Sequence, residues 1–308
     1  MSSLEAVEKA IQHLSNLPDS IRPKTVDGSP GGIIDFSGSK DKEFFILGDV
    51  HGMVNNIKAS LATDNLEEKL ANDEAVLLLL GDLVHDDRVG YLTVMEPSLE
   101  TLDFLFELID RFPRNVFSIR GNHDTFDRQV SKSGIRQAEL FQNYLLDQRG
   151  EEYTNLVEQF FDLMPMVFLG PQFFCIHAGP IRGGATREHL IEISRYDSDM
   201  FQLMWNRINQ IGSVPNNKEY GPEDIAISKE LLGYPPDAYL IVGHNPLLDR
   251  GGDDSIWLNV MGVKNYIITY NALPEKCPVL IFRKNETSHT LLYADLKIEK
   301  SRFVLGDM

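Results

Sequence analysis

The stretch EFFILGDVHG, residues 43–52, places a short apolar run directly before Gly48 and follows it with Asp49 and His51. A run this apolar that ends at a glycine predicts a buried β-strand. An aspartate and a histidine two residues apart in the following turn can both bind one metal ion. The stretch therefore predicts a strand that delivers metal ligands from its carboxyl end.

Four further apolar runs are each followed, within three residues, by another candidate metal ligand. They are VLLLL at 76–80 before Asp82, VFSI at 116–119 before Asn122, FFCI at 173–176 before His177, and YLIV at 239–242 before His244. Strands that alternate with helical stretches predict the α/β (α+β) fold class. Residues just past the carboxyl ends of such strands converge on one edge of a sheet. We therefore expect one metal site, with the ligands Asp49, His51, Asp82, Asn122, His177 and His244.

Asp82 lies between one ligand set upstream and another downstream, which makes it the natural bridge between two divalent ions about 3.5–4 Å apart. Asp49 and His51 would chelate the first ion, and the three downstream ligands would hold the second. A water between the ions loses a proton readily, and the resulting hydroxide can attack a phosphate ester. The expected cofactors are two divalent metal ions, Mn²⁺ first, with Fe or Zn as alternatives.

His123 is expected to be a general acid rather than a ligand, because its side chain diverges from that of its neighbour Asn122. In that role it would protonate the leaving alkoxide. Arg120 and Arg207 are the candidates for binding phosphate, since a guanidinium can grip two oxygens at once. Asn122 is counted as a substrate-binding residue as well as a ligand.

These motifs resemble those of the calcineurin-like metallophosphoesterases and, within them, the phosphoprotein phosphatase family of Ser/Thr phosphatases. GDVHG matches the family's GDxHG in full, RGNHD differs from RGNHE by Asp124, and CIHAGP is similar to the family's HGG segment. MWNR resembles a Trp-x-Arg segment of bacterial members in which the arginine, here Arg207, contacts phosphate. TYNAL resembles the segment before the family's final strands. The resemblance spans residues 44–296. It implies a four-layer αββα metallophosphoesterase sandwich and groups Asp82 and Asp124 with His123 as catalytic.

One segment departs from the family pattern. Where the family has Asp-Arg-Gly, this chain has His85, Asp86 and Asp87. In the family that Asp orients the general-acid histidine, and that Arg binds phosphate. Two replacements for the Asp stay open: His85 hydrogen-bonds His123, or one of the two aspartates does. We predict that Asp86 or Asp87 is the partner, and Arg88 is the candidate for the missing cation.

The chain divides into an N-terminal helical flank, residues 1–40, and a metallophosphoesterase domain, residues 41–300. Ser2 and Glu5 fit a capping box before an amphipathic helix. A helical insert at about 126–165 is expected to act as an accessory cap that selects the substrate. Ser98 is the expected N-cap of the helix before the third strand. The short apolar runs after His244 predict antiparallel strands.

Composition excludes several classes of protein. The formal net charge of −17 argues against a nucleic-acid-binding surface, and no apolar stretch approaches the length of a membrane span. The two cysteines cannot form a dense disulfide framework, and the N-terminus has no basic segment followed by an apolar one. We expect a cytoplasmic protein that binds neither nucleic acid nor membrane; the sequence does not predict the oligomeric state.

The leading interpretation is a metal-dependent phosphoric monoester hydrolase that acts on phosphoserine or phosphothreonine, so the expected partner is a phosphorylated protein. The first alternative is a small-molecule phosphoesterase, such as a symmetrical dinucleoside tetraphosphate hydrolase. The second is a degenerate member that binds phosphorylated partners without turnover, which the missing Asp-Arg-Gly would favour. Phosphotyrosine also stays open, because metal ligands do not specify the leaving group.

Overall fold

A computed structural model describes residues 2–212, 215–245 and 254–296. The strands are β1 Ile33–Asp35, β2 Glu43–Leu47, β3 Ala75–Leu79, β4 Val116–Ser118, β5 Val167–Leu169, β6 Phe173–Ile176, β7 Arg207–Ile208, β8 Glu219–Tyr220, β9 Tyr239–Val242, β10 Ile256–Leu258, β11 Tyr266–Thr269, β12 Pro278–Phe282 and β13 His289–Tyr293. The helices are α1 Ser3–Ser15, α2 Val54–Ala62, α3 Leu66–Ala71, α4 Glu96–Arg111, α5 Gln137–Arg149, α6 Glu151–Leu163, α7 Arg187–Ile191, α8 Asp197–Trp205 and α9 Pro222–Leu231.

The five strands predicted from the metal-ligand motifs are all confirmed, as β2, β3, β4, β6 and β9. Every residue of these strands is buried. Burial on both faces explains why their sequences are continuous apolar runs rather than alternating ones.

These strands belong to two sheets. The first has the order β13-β12-β2-β3-β4, and the second has the order β1-β5-β6-β9-β11-β10. In the first, β2, β3 and β4 are parallel; in the second, β6, β9 and β11 are parallel. The antiparallel strands predicted after His244 from NYIITYN, CPVLIFRK and HTLLYADL correspond to β11, β12 and β13. The prediction is right for β12 and β13 and right in part for β11, which pairs with β10 in antiparallel and with β9 in parallel.

Alternate residues of the second sheet face two different layers. On β6, Phe173 and Cys175 belong to the core shared with the first sheet, whereas Phe174 and Ile176 pack with residues of α7, α8 and α9. Phe173 meets Phe44 of the first sheet edge-on, with ring centroids 5.3 Å apart. Buried residues of α1 to α6 belong to the same hydrophobic core as the first sheet. Helices therefore flank two facing sheets, which is the predicted four-layer αββα sandwich.

The N-terminal segment is packed as part of this sandwich. The Ser2 hydroxyl accepts a hydrogen bond from the Glu5 amide at 3.2 Å, and α1 buries its apolar face against α4 and α6. Strand β1 lies within residues 1–40 and pairs in parallel with β5, at the edge of the second sheet. The segment predicted as a flank thus supplies both a helix and a sheet strand to the core. Residues 297–300 of the predicted domain lie outside the described residues.

The predicted helical insert contains α5 and α6, separated by Gly150, whose φ of 85° suits glycine. Helix α4 begins at Glu96, with Pro97 in its first turn, so the prediction of Ser98 as its N-cap is wrong. The Ser98 hydroxyl instead accepts a hydrogen bond from the His85 amide at 2.8 Å. Within the described ranges, no helix combines the length and the apolar character needed to cross a membrane.

Candidate metal centre

The carboxyl ends of β2, β3, β6 and β9 bring two groups of ligand atoms together. One group is Asp49, His51 and Asp82, the other is Asp82, His177 and His244, and within each group the ligand atoms lie within 4.8 Å of one another. The Oδ2 atom of Asp82 is 3.5 Å from Nε2 of His51 and 3.5 Å from Nε2 of His177. Asp82 is therefore common to both groups, as expected of a bridging carboxylate.

The turns that carry these ligands adopt an unusual backbone conformation. His51, Asp82 and His244 all have positive φ values, of 45°, 48° and 55°. Such a conformation is unfavourable for residues with a side chain, and it clusters at functional sites. A Cβ atom on Gly243 would lie 1.8 Å from Oδ1 of Asp49, so the loop after β9 reaches Asp49 only because glycine stands there.

Two backbone carbonyls orient the imidazoles. Nδ1 of His51 lies 2.9 Å from the His85 carbonyl oxygen, and Nδ1 of His177 lies 2.7 Å from the Leu80 carbonyl oxygen. A carbonyl can only accept, so each Nδ1 carries the proton and donates. Nε2 of both rings is then the free ligand nitrogen that faces Asp82. Asn122 joins the second group, because its Oδ1 is 3.1 Å from Nε2 of His177.

The donor set fits divalent metal ions. Among the described residues, Oδ1 of Asp49 and Nε2 of His244 are buried without a hydrogen-bond partner. Burial raises the pKa of Asp49 to about 7, against the opposing charge of His177. Burial and the nearby His177 hold the pKa of His244 well below its usual value. Unpaired carboxylate and neutral imidazole atoms buried together are groups that a cation would satisfy.

Asp124 is placed differently from its predicted catalytic role. One of its carboxylate oxygens accepts from the Leu83 amide, and the other accepts from the Asp82 and Gly121 amides, each at 2.9 Å. The side chain is fully buried, and it does not line the cavity beside the ligands. A carboxylate surrounded by backbone amides joins the loops after β3 and β4. Asp124 is therefore placed to position Asp82 rather than to contact a substrate.

The partner of His123 is His85, so the prediction that Asp86 or Asp87 fills this place is wrong. The two Nδ1 atoms are 3.0 Å apart. The carboxylate of Asp86 instead accepts from the Arg88 guanidinium, and that of Asp87 accepts from Lys132 and Tyr270. His85 has a φ of 68° and is fully buried, which turns its ring inward while the two aspartates point elsewhere.

A cavity of about 550 Å³ opens beside the ligands. His123, Arg207, Arg88 and Lys132 line it together with the candidate ligands Asp49, His51, Asp82, Asn122 and His244. Arg120 does not line it, because its guanidinium lies 3.1 Å from a carboxylate oxygen of Asp162 on α6. The structure therefore brings Arg207, but not Arg120, to the predicted phosphate site.

Several residues that line the cavity are not predicted from the sequence, among them Tyr270 and Lys132. Tyr270 directly follows β11 and lies in the TYNAL segment, so the resemblance carries a signal for it. Lys132 lies in the insert, and no motif marks it.

Solved structures of several phosphatases share this fold. A protein serine/threonine phosphatase from Saccharomyces cerevisiae with similarity to human phosphatase PP5 matches with a TM-score of 0.66 and 16% identity, over 95% of this chain and 89% of that chain. A cold-active protein-tyrosine phosphatase of a psychrophile, Shewanella sp., matches with a TM-score of 0.54 and 13% identity, over 92% and 84%. A putative diadenosine tetraphosphatase matches with a TM-score of 0.50 and 13% identity, over 86% and 99%. At these identities the similarity concerns the fold.

The family itself follows from the sequence match. A family model described as calcineurin-like phosphoesterase matches residues 43–271, a range that includes every candidate metal ligand. The chain therefore belongs to the calcineurin-like phosphoesterase family.

Proposed function

We propose that this phosphoesterase is a metal-dependent phosphoprotein phosphatase that hydrolyses phosphoserine and phosphothreonine. The observation that carries the proposal is the pair of ligand groups that share Asp82 on the wall of an open cavity. A loop with exposed apolar side chains borders this cavity: Val89 lines it and is 96% exposed, and Tyr91 is about half exposed. A side chain so exposed at the rim of the cavity is placed to contact residues that flank the phosphate of a protein substrate.

Two divalent ions, with Mn²⁺ as the expected metal, would be held by the shared Asp82 together with Asp49 and His51 on one side and Asn122, His177 and His244 on the other. When bound, such ions supply Lewis acidity toward phosphate oxygens and activate water at neutral pH. The buried carboxylates and the oriented imidazoles already hold this donor set in place. Little rearrangement is then needed to bind metal.

His123 has the role of general acid. Its Nδ1 is engaged by His85, which leaves Nε2 as the nitrogen that can protonate the leaving oxygen. Burial lowers the pKa of His123 to about 4, although Asp82 opposes the effect. A phosphate dianion in the cavity would raise the pKa of His123, whereas bound divalent ions would lower it. Arg207 lines the same cavity and would bind the phosphate oxygens.

One observation favours a dinucleotide substrate as a second candidate. Trp205 and Trp257 both line the cavity, and indole faces are good surfaces for stacking a nucleobase. A dinucleoside tetraphosphate would then place its phosphates at the metal ligands and a base against a tryptophan.

The test is hydrolysis of a phosphothreonine peptide by chelated protein, before and after Mn²⁺ is added, for the wild type, Asp82→Asn and the control Asp147→Asn. Asp147 is an exposed residue of α5. We expect Mn²⁺ to restore turnover in the wild type and the control but not in Asp82→Asn. A phosphotyrosine peptide, an aryl phosphate and a dinucleoside tetraphosphate are assayed in parallel. Turnover of the dinucleotide alone would replace the proposal, and no turnover of any substrate with Mn²⁺ bound would contradict it.

A further inference from the structure

One position beside the cavity carries the opposite charge to that of the family's Asp-Arg-Gly segment. Asp86 stands at the arginine position, is buried, and accepts from Nε of Arg88 at 2.9 Å. The guanidinium of Arg88 also stacks over Tyr91, with its Cζ 4.3 Å from the ring centroid. Arg88 lines the cavity, and its Nε and Nη2 atoms donate to the carboxylate of Asp86.

Lys132 of the insert is a further cation on the wall of the cavity. It lines the cavity, and its Nζ donates to Oδ2 of Asp87 at 2.6 Å. The other oxygen of Asp87 accepts from the Tyr270 hydroxyl at 2.7 Å, so the carboxylate that holds Lys132 is itself fixed. An ammonium group has three donors, and Asp87 uses one of them. The remaining donors are available to a ligand in the cavity.

The backbone around Lys132 is held equally firmly. Lys132 and Ile135 exchange backbone hydrogen bonds of 3.0 and 2.9 Å around a two-residue turn, in which Ser133 and Gly134 both have positive φ values. Such a turn has a defined geometry. The side-chain amide of Gln137 then donates to the Asp86 carbonyl oxygen at 2.9 Å, which fastens the start of α5 to the loop after β3. The insert is thus docked on the site.

We infer that Lys132 binds the phosphate of the substrate, oriented by Asp87, and supplies from the insert the positive charge that is missing at Asp86. The inference rests on the proposed function for the identity of the substrate, but the binding of inorganic phosphate tests it without turnover. Lys132 and Arg207 belong to different segments that both line the cavity.

The experiment measures calorimetrically the affinity of the Mn²⁺-loaded protein for inorganic phosphate, with the kcat and KM of a phosphothreonine peptide as a second readout. The variants are Lys132→Met, which removes the charge at similar length, and Lys132→Arg, which keeps the charge. The matched control is Lys24→Met: Lys24 also pairs with an aspartate, its side chain is 48% exposed against 40% for Lys132, and it does not line the cavity.

We expect Lys132→Met to weaken phosphate binding by about 10- to 100-fold, as for the loss of a hydrogen bond to a charged group. Lys132→Arg should recover most of the affinity, and Lys24→Met should equal the wild type. Equal phosphate affinities of Lys132→Met and Lys24→Met would overturn the inference while leaving the proposed function intact. Lys132-dependent phosphate binding without turnover of any substrate would support the inference and contradict the proposed function. Absence of phosphate binding to the wild type would contradict both.

Discussion

Replacing Asp124 by alanine should destabilise the fold, because three buried backbone amides would lose their acceptor. These amides belong to Asp82, Leu83 and Gly121, and each now donates to the carboxylate at 2.9 Å. A buried donor left unsatisfied costs about 1–3 kcal/mol, which gives roughly 3–9 kcal/mol for three. Removing the cost of burying the carboxylate offsets part of this, so we expect a loss of about 3–5 kcal/mol in the free energy of unfolding.

The assay is urea unfolding in the presence of a chelator, so that metal binding does not contribute. Asp124→Asn should lose less than Asp124→Ala, since an amide oxygen can still accept from part of the set. Asp147→Ala is the control, and an exposed substitution of this kind should change stability by no more than about 0.5 kcal/mol. If Asp124→Ala were as stable as Asp147→Ala and lost only catalytic rate, the positioning role would be refuted, and the catalytic role predicted from sequence would return.

Three further outcomes follow from the site and its surroundings. Gly243→Ala should weaken Mn²⁺ affinity by at least about tenfold, because the Cβ of the alanine would displace the Asp49 carboxylate. A calorimetric Mn²⁺ affinity equal to that of the wild type would contradict the close contact between residue 243 and Asp49. His85→Ala should lower kcat by about tenfold or more with little change in KM, and His85→Asp should recover rate, because either side chain can accept from Nδ1 of His123; equal rates of His85→Ala and the wild type would exclude the pair. Burial raises the pKa of Asp64, but hydrogen bonds from Arg283 and Lys69 outweigh this effect, so the pKa in the folded protein is lowered. The stabilisation by the charged Asp64 is therefore present above the ordinary aspartate pKa and is lost as pH falls through the folded-state pKa. The stability difference between the wild type and Asp64→Asn should therefore shrink on acidification below about pH 4, and a difference that grows would contradict the sign.

The strands and the ligand loops could be predicted because their signals are local. The strands after which Asp49, Asp82 and His177 stand are buried on both faces, so their sequences are apolar throughout and their ends are marked by glycine or a polar residue. Parallel strands in each sheet then bring the ligands together. Two sheets rather than one carry them, which the resemblance implied and the strand sequences alone do not specify.

Side-chain directions at the site depended on tertiary contacts that no local pattern encodes. Arg120 follows a predicted strand, yet Asp162 of a distant helix attracts its guanidinium. Asp86 and Asp87 stand beside the site in sequence, but the positive φ of His85 turns the chain so that His85 faces inward. Lys132 reaches the cavity through the docking of a whole insert.

Whether Asp82 is shared between two metal positions can be measured from the Mn²⁺ stoichiometry of the chelated wild type and of Asp82→Asn. We expect two ions per chain for the wild type and fewer than two for Asp82→Asn at the same free Mn²⁺ concentration. A single ion or none in the wild type, or two ions bound with unchanged affinity in Asp82→Asn, would contradict this expectation.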